Sequence, residues 1–108
     1  MTTEELRRII LRVASALKRT HNFDVNLKDI VDKGEGNFTV YISANGRAAD
    51  MSFWAYNFTS KDGADRLPLG DDLIKPEYRD MFSNEDYLVL RIAAWWYQYF
   101  ADDDQLPF

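Results

Sequence analysis

The side chains of this chain that could do chemistry are mainly carboxylates. The most distinctive group of them is Asp102, Asp103 and Asp104, followed by Gln105-Leu106-Pro107-Phe108. A ring such as Phe108 can fill an apolar pocket, its α-carboxylate can be taken by an Arg or Lys, and the aspartates can meet a basic rim. Pro107 fixes its own φ and biases Leu106 toward an extended backbone, so part of a bound shape is already set. This is the chemistry of a docking peptide, with Asp102, Asp103, Asp104, Leu106, Pro107 and Phe108 as the partner-docking residues. The competing reading is a frayed chain end made soluble by aspartates. Leu-Pro-Phe runs against it, because exposed apolar residues are normally few.

Little else is arranged for catalysis. The one histidine, His21, stands where an amphipathic pattern ends, and a helix C-terminus favours a cation there. Ser15, Ser43, Ser52, Ser60 and Ser83 have no histidine nearby in sequence, and there is no cysteine. Adjacent aspartates such as Asp71-Asp72 can touch Mg²⁺ loosely but make a poor cage. Gly34-Glu35-Gly36 lacks the glycine spacing and the lysine of a phosphate loop. The expectation is a protein without catalytic residues, cofactor or metal.

The tail resembles the C-terminal tip of bacterial single-stranded DNA-binding proteins, an acidic run followed by Leu or Ile and then Pro-Phe. Leu106-Pro107-Phe108 matches the apolar part and Asp102, Asp103 and Asp104 match the acidic run, with Gln105 inserted between them. The resemblance is confined to residues 102–108. It implies a partner class: replication, recombination and repair enzymes that take such a tip in an apolar pocket with a basic rim, the final Phe and its carboxylate serving as anchor. The body carries no sequence mark of the OB barrel that the family uses.

The elements that must position this tail are legible from pattern. Leu6, Ile9, Ile10, Val13 and Leu17 recur at helical spacing and predict an amphipathic helix over 3–20, with Arg8, Arg12 and Arg19 opposite. Phe23, Val25 and Leu27 alternate with polar residues, the period of a strand. Gly34-Glu35-Gly36 breaks the chain before the next strand. Asn45-Gly46 is a preferred hairpin turn. With those two residues as the loop, Ile42 faces Ala49, Val40 faces Met51 and Phe38 faces Phe53, so register and burial agree. The other face then carries Tyr41, with Trp54 and Tyr56 further along.

Residues 59–82 read as a long connection with one helical turn beginning near Pro76. Ser83 can cap a last helix that is apolar nearly all round from Tyr87 to Phe100, with Tyr87, Arg91, Ala94 and Gln98 as its polar strip. Such a helix is buried on more than one side or gives one side to an oligomer interface, so a homodimer is an open expectation. The predicted fold class is α+β, ordered α-β-β-β-α. A three-stranded antiparallel sheet is packed by N- and C-terminal helices and followed by a short acidic tail. Residues 1–101 form one domain in this reading, and 102–108 form the tail.

Single-strand binders combine a basic groove with aromatic platforms. The candidates here are Arg8, Arg12 and Arg19 on the first helix and Tyr41, Trp54 and Tyr56 on the second sheet face. The same residues also fit a wet helix side and aromatics packed under a helix. The order α-β-β-β-α is shared with double-stranded RNA-binding domains, but those need a basic start to the second helix. Ser83-Asn84-Glu85-Asp86 would repel phosphates, which rules that reading out.

Composition bounds the rest. The chain has 108 residues, 46% hydrophobic and 15% aromatic, with a net charge of −5. That suits one folded domain, and no apolar run is long enough for a membrane span. Met1-Thr2-Thr3-Glu4-Glu5 lacks the order of a signal peptide, and the absence of cysteine fits the cytoplasm. Residues 1–20 hold five basic groups against two acidic ones, whereas residues 62–86 hold eight acidic groups. The expected function is a non-enzymatic, cytoplasmic accessory protein of DNA metabolism whose tail docks on enzymes. Contact of its body with single-stranded DNA is an open addition. The alternative is a small acidic inhibitor, of phage anti-defence or immunity type, whose 62–86 segment caps the basic surface of a nuclease.

Overall fold

A computed structural model describes residues 1–68 and 75–104. The described elements run α1 (Thr3–His21), β1 (Val25–Gly34), β2 (Asn37–Ala44), β3 (Arg47–Trp54), α2 (Tyr56–Thr59), α3 (Lys61–Asp65), α4 (Pro76–Arg79) and α5 (Asn84–Asp104). The strands form one antiparallel sheet in the order β1-β2-β3, with α1 and α5 against one face. This is the predicted α+β class.

Helix α1 is fixed at both ends by its own residues. Thr2 Oγ1 accepts from the Glu5 amide at 3.1 Å while Glu5 Oε1 accepts from the Thr2 amide at 3.1 Å, a reciprocal capping box. Asn22 closes the helix in the left-handed conformation (φ 51°), and the Phe23 amide reaches back to the Leu17 carbonyl at 3.2 Å. The apolar stripe Leu6, Ile9, Ile10, Val13 and Leu17 is buried against the sheet and α5.

The β2–β3 hairpin has the predicted register. Phe38 pairs with Phe53, Val40 with Met51 and Ile42 with Ala49. Asn45 and Gly46 both have positive φ (48° and 83°), as a type I′ turn requires. Glu35 and Gly36 make a second tight link in the left-handed region (φ 57° and 76°), which joins β1 to β2. Strand β1 continues well past Lys28, where the alternation in sequence stops. Between Leu27 and Asp29 the register shifts and Lys28 becomes the extra residue of a bulge. The bulge reverses the parity of inward positions, so Ile30 rather than a residue in phase with Leu27 is buried.

The stretch after β3 is more ordered than its composition suggests. Asn57 is buried; its Oδ1 accepts from the Trp54 amide at 2.9 Å and its Nδ2 donates to the Gly63 carbonyl at 2.7 Å. Ser60 caps α3 by accepting from the Gly63 amide at 2.9 Å. These side-chain-to-backbone bonds hold α3 where a loop was expected and α2 where Tyr56 was expected to continue the second sheet face, and such bonds leave no periodic signal. The turn at Pro76 is present as α4.

Helix α5 starts where Ser83 Oγ accepts from the Asp86 amide at 3.1 Å. Leu88, Ile92, Trp96 and Phe100 enter the core, and Trp96 meets Phe53 edge-on with centroids 6.4 Å apart. The expected polar strip is wrong at Tyr87 and Arg91, which are both buried. Arg91 Nη2 donates to the carbonyls of Asp65 and Leu67, at 3.1 and 3.3 Å, and Nη1 donates to the Tyr87 hydroxyl at 3.1 Å. A guanidinium facing backbone carbonyls has the same spacing in sequence as one facing water. Among the described residues, no helix is long and apolar enough to cross a membrane.

Candidate docking site

Helix α5 carries the chain directly into the acidic run. Its backbone is helical through Asp104, so Asp102, Asp103 and Asp104 occupy its last turn. Leu106, Pro107 and Phe108 lie outside the described residues, as does Gln105. Three carboxylates at a helix C-terminus oppose the macrodipole, and no basic residue offsets them in that turn.

The arginine stripe of α1 splits into two parts. Arg8 Nη2 donates to Glu85 Oε1 at 2.6 Å, and Arg12 donates to Glu85 Oε2 at 2.6 Å and to Asp86 Oδ1 at 2.7 Å. The hydrogen bond from Arg8, then that from Arg12, holds the Glu85 carboxyl below its usual range. Arg12, followed by Ser83, does the same for Asp86. Both guanidiniums are pushed up in turn, Arg8 by Glu85 and Arg12 first by Asp86. Lys18 pairs with Asp24 at 2.8 Å, and Arg7 lies 3.8 Å from Glu4. Arg19, which is exposed, has no carboxylate partner among the described residues.

The aromatic candidates are elsewhere. Tyr41 and Trp54 are exposed on the sheet face away from α1 and α5, and Tyr56 is exposed on α2. The sheet therefore separates Tyr41 and Trp54 from the arginines, and Tyr56 leaves the sheet face for α2, so the structure does not bring the two halves of a strand-binding groove together. Tyr41 is also flanked in the register by Asp29 on one strand and Asp50 on the other, both exposed. Two carboxylates beside a stacking ring repel a phosphate backbone.

The acidic 62–86 segment is partly neutralised from within. Asp65 accepts from the Tyr87 hydroxyl at 3.0 Å and lies 3.5 Å from Arg79 Nη2. Asp80 pairs with Lys61, whose hydrogen bond lowers the Asp80 pKa, and Glu85 and Asp86 are held by arginines. Asp71 and Asp72 lie outside the described residues.

Sequence reasoning missed a groove of about 510 Å³ between α1 and α5. The two helices run side by side in the same direction, since Arg12 meets Asp86 near one end and His21 meets Tyr97 near the other. Leu17, Val89, Ala93 and Tyr97 form its apolar floor, and Phe82 and Leu90 stand exposed along it. Arg19 and His21 border the far end. His21 is the last residue of α1; its ring stacks on Tyr97 at 3.8 Å, and Nδ1 is 2.7 Å from the Thr20 hydroxyl. That gives the imidazole a packing role. The all-round apolar character of α5 was the available signal, because one of its sides had to face something other than the core.

Among the described residues, no cluster of three or more His, Asp or Glu side chains is placed to hold a metal ion. Compared with models of known protein families, with curated proteins and with solved structures, the chain matches none.

Proposed function

We propose that this protein is a non-enzymatic accessory factor of DNA metabolism that docks through residues 102–108 onto enzymes which receive the tips of single-stranded DNA-binding proteins. The observation that carries the reading is the Asp-Asp-Asp-Gln-Leu-Pro-Phe segment itself, mounted on the end of α5. Trp96 and Phe100 root that helix in the core, so the segment starts from a fixed point. Phe108 acts as the apolar anchor, Pro107 limits the entropy lost on docking, and the aspartates steer the encounter.

The body adds little to a nucleic-acid contact in this reading. Arg8 and Arg12 are already neutralised, and the aromatic face is acidic. The protein accordingly acts at the enzyme's tip pocket and competes there with a genuine strand-binding protein. A test is displacement of a fluorescent tip peptide from a tip-binding repair enzyme. The full chain displaces it. Changing all three of Asp102, Asp103 and Asp104 to Asn weakens displacement and flattens its salt dependence. A chain that leaves the peptide bound at all concentrations contradicts the proposal.

A second reading is favoured by one observation, the exposed row Asp29–Tyr41–Asp50 across a sheet face that also carries Trp54. Carboxylates beside aromatic rings suit the arginines of a basic protein surface. In this reading the protein is an inhibitor that caps a nuclease, through the sheet rather than through the 62–86 segment. It predicts that Asp29→Lys with Asp50→Lys abolishes inhibition of such a nuclease while removal of Pro107-Phe108 leaves it intact.

A further inference from the structure

We propose that the α1–α5 groove is a receptor for residues 102–108 of a second copy of this chain, so that the docking tail is also a self-association element. The inference shares the tail with the function proposed above but rests on a different surface, and either can fail alone.

The groove has the chemistry that the tail requires. Its floor is apolar, and Phe82 and Leu90 remain 40% and 38% exposed beside it, unusual for large apolar side chains lining one cleft. Its volume of about 510 Å³ lies within the range of pockets that enclose small ligands or a few peptide side chains. The charge at its rim is equally specific. Arg7, Arg8, Arg12 and Lys18 all have carboxylate partners within the chain, whereas Arg19 at the rim has none among the described residues. An uncompensated guanidinium beside an apolar cleft calls for an anion attached to an apolar group. Asp102–Asp104 followed by Leu106-Pro107-Phe108 is such a group.

Reach decides between the chain's own tail and that of a second copy. Helix α5 continues through Asp104. Returning from Asp104 to the level of Tyr97 takes about 10 Å at about 1.5 Å per residue, and to the level of Asp86 about 27 Å. The four residues after Asp104 span at most about 14 Å when extended. A chain's own tail can therefore reach only the Arg19 and Tyr97 end of its groove and falls short of Leu90 and Phe82, about 21 Å and more from Asp104, whereas the tail of another copy can lie along the whole cleft. The contact is small, so the association is weak and concentration-dependent.

The test is sedimentation velocity on the full chain from low micromolar to millimolar concentration. Two variants are compared with it: a chain lacking Pro107-Phe108, and Arg19→Glu with Leu90→Glu at exposed positions that leave the core untouched. Thermal unfolding confirms that the second is folded. The wild-type chain self-associates, and each variant alone associates about 30-fold more weakly or not at all. Mixing the variants restores a heterodimer, since one supplies an intact groove and the other an intact tail. Monomeric wild-type protein throughout, association that survives the groove change, or failure of the mixture to associate each overturns the proposal. A monomeric wild type whose groove binds only the tip peptide of a strand-binding protein also overturns it. The Arg19→Glu, Leu90→Glu chain keeps its tail-dependent binding to a repair enzyme, which separates this proposal from the function above.

Discussion

Glu85 sits between two guanidiniums, and its hydrogen bonds to Arg8 and Arg12 tie the start of α5 to the middle of α1. Isolated surface pairs are worth little, but one carboxylate shared by two arginines gives pH a handle on the fold. The Glu85 carboxyl is depressed, chiefly by the bond from Arg8, below the ordinary value of about 4.3. Its contribution is therefore complete above that ordinary value and is lost as pH falls through the lower folded value. Urea unfolding between neutral pH and about pH 3 is expected to show a shallower loss of stability for Glu85→Gln than for the wild type. Equal slopes would mean that the arginines do not hold this carboxylate in solution. Arg91 makes a second residue-scale test. It is 4% exposed and serves two carbonyls and a tyrosine hydroxyl. Arg91→Ala leaves those acceptors buried and is expected to cost about 3 kcal/mol, read as a lower urea midpoint. A cost typical of exposed positions would show that water replaces the guanidinium.

At the scale of elements, legibility followed the source of each constraint. The hairpin register was legible down to the residue, because the Asn45-Gly46 turn pins it and a one-residue slip would expose Phe38, Val40 and Ile42. The far half of β1 was not legible, since the bulge at Lys28 reverses the alternation. Helices α2 and α3 were not legible either, because Asn57 and Ser60 hold them through side-chain bonds to nearby backbone atoms, which leave no periodic pattern. Gly63 shows how tight that segment is. A Cβ there would lie 1.8 Å from the Tyr56 carbonyl oxygen, with no flexible side-chain end to yield. Gly63→Ala is expected to destabilise by about 3 kcal/mol or more, although glycine to alanine within a helix is ordinarily favourable. A variant as stable as the wild type in thermal unfolding would mean that α2 and α3 pack less closely. In the core, Trp96→Ala removes a fully buried indole and is expected to cost about 3–5 kcal/mol.

For the whole molecule, the arrangement of surfaces matters more than any one residue. The arginines and the aromatic face looked like two halves of one nucleic-acid interface in sequence. The fold separates them: α1 lies on one side of the sheet, and Tyr41 and Trp54 lie on the other beside Asp29 and Asp50. The arginines that looked free are mostly neutralised by the start of α5, a pairing between residues more than 70 positions apart that no local pattern reveals. The groove emerges only once α1 and α5 are set side by side. The proposed function rests on the tail, whose chemistry is local to residues 102–108. The most direct measurement is fluorescence anisotropy of the labelled protein titrated with a tip-binding repair enzyme, for the full chain and for the chain lacking Pro107-Phe108. Saturable binding by the full chain is expected, with a loss of about 30-fold or more in affinity on truncation. Equal affinity of the two chains would contradict it.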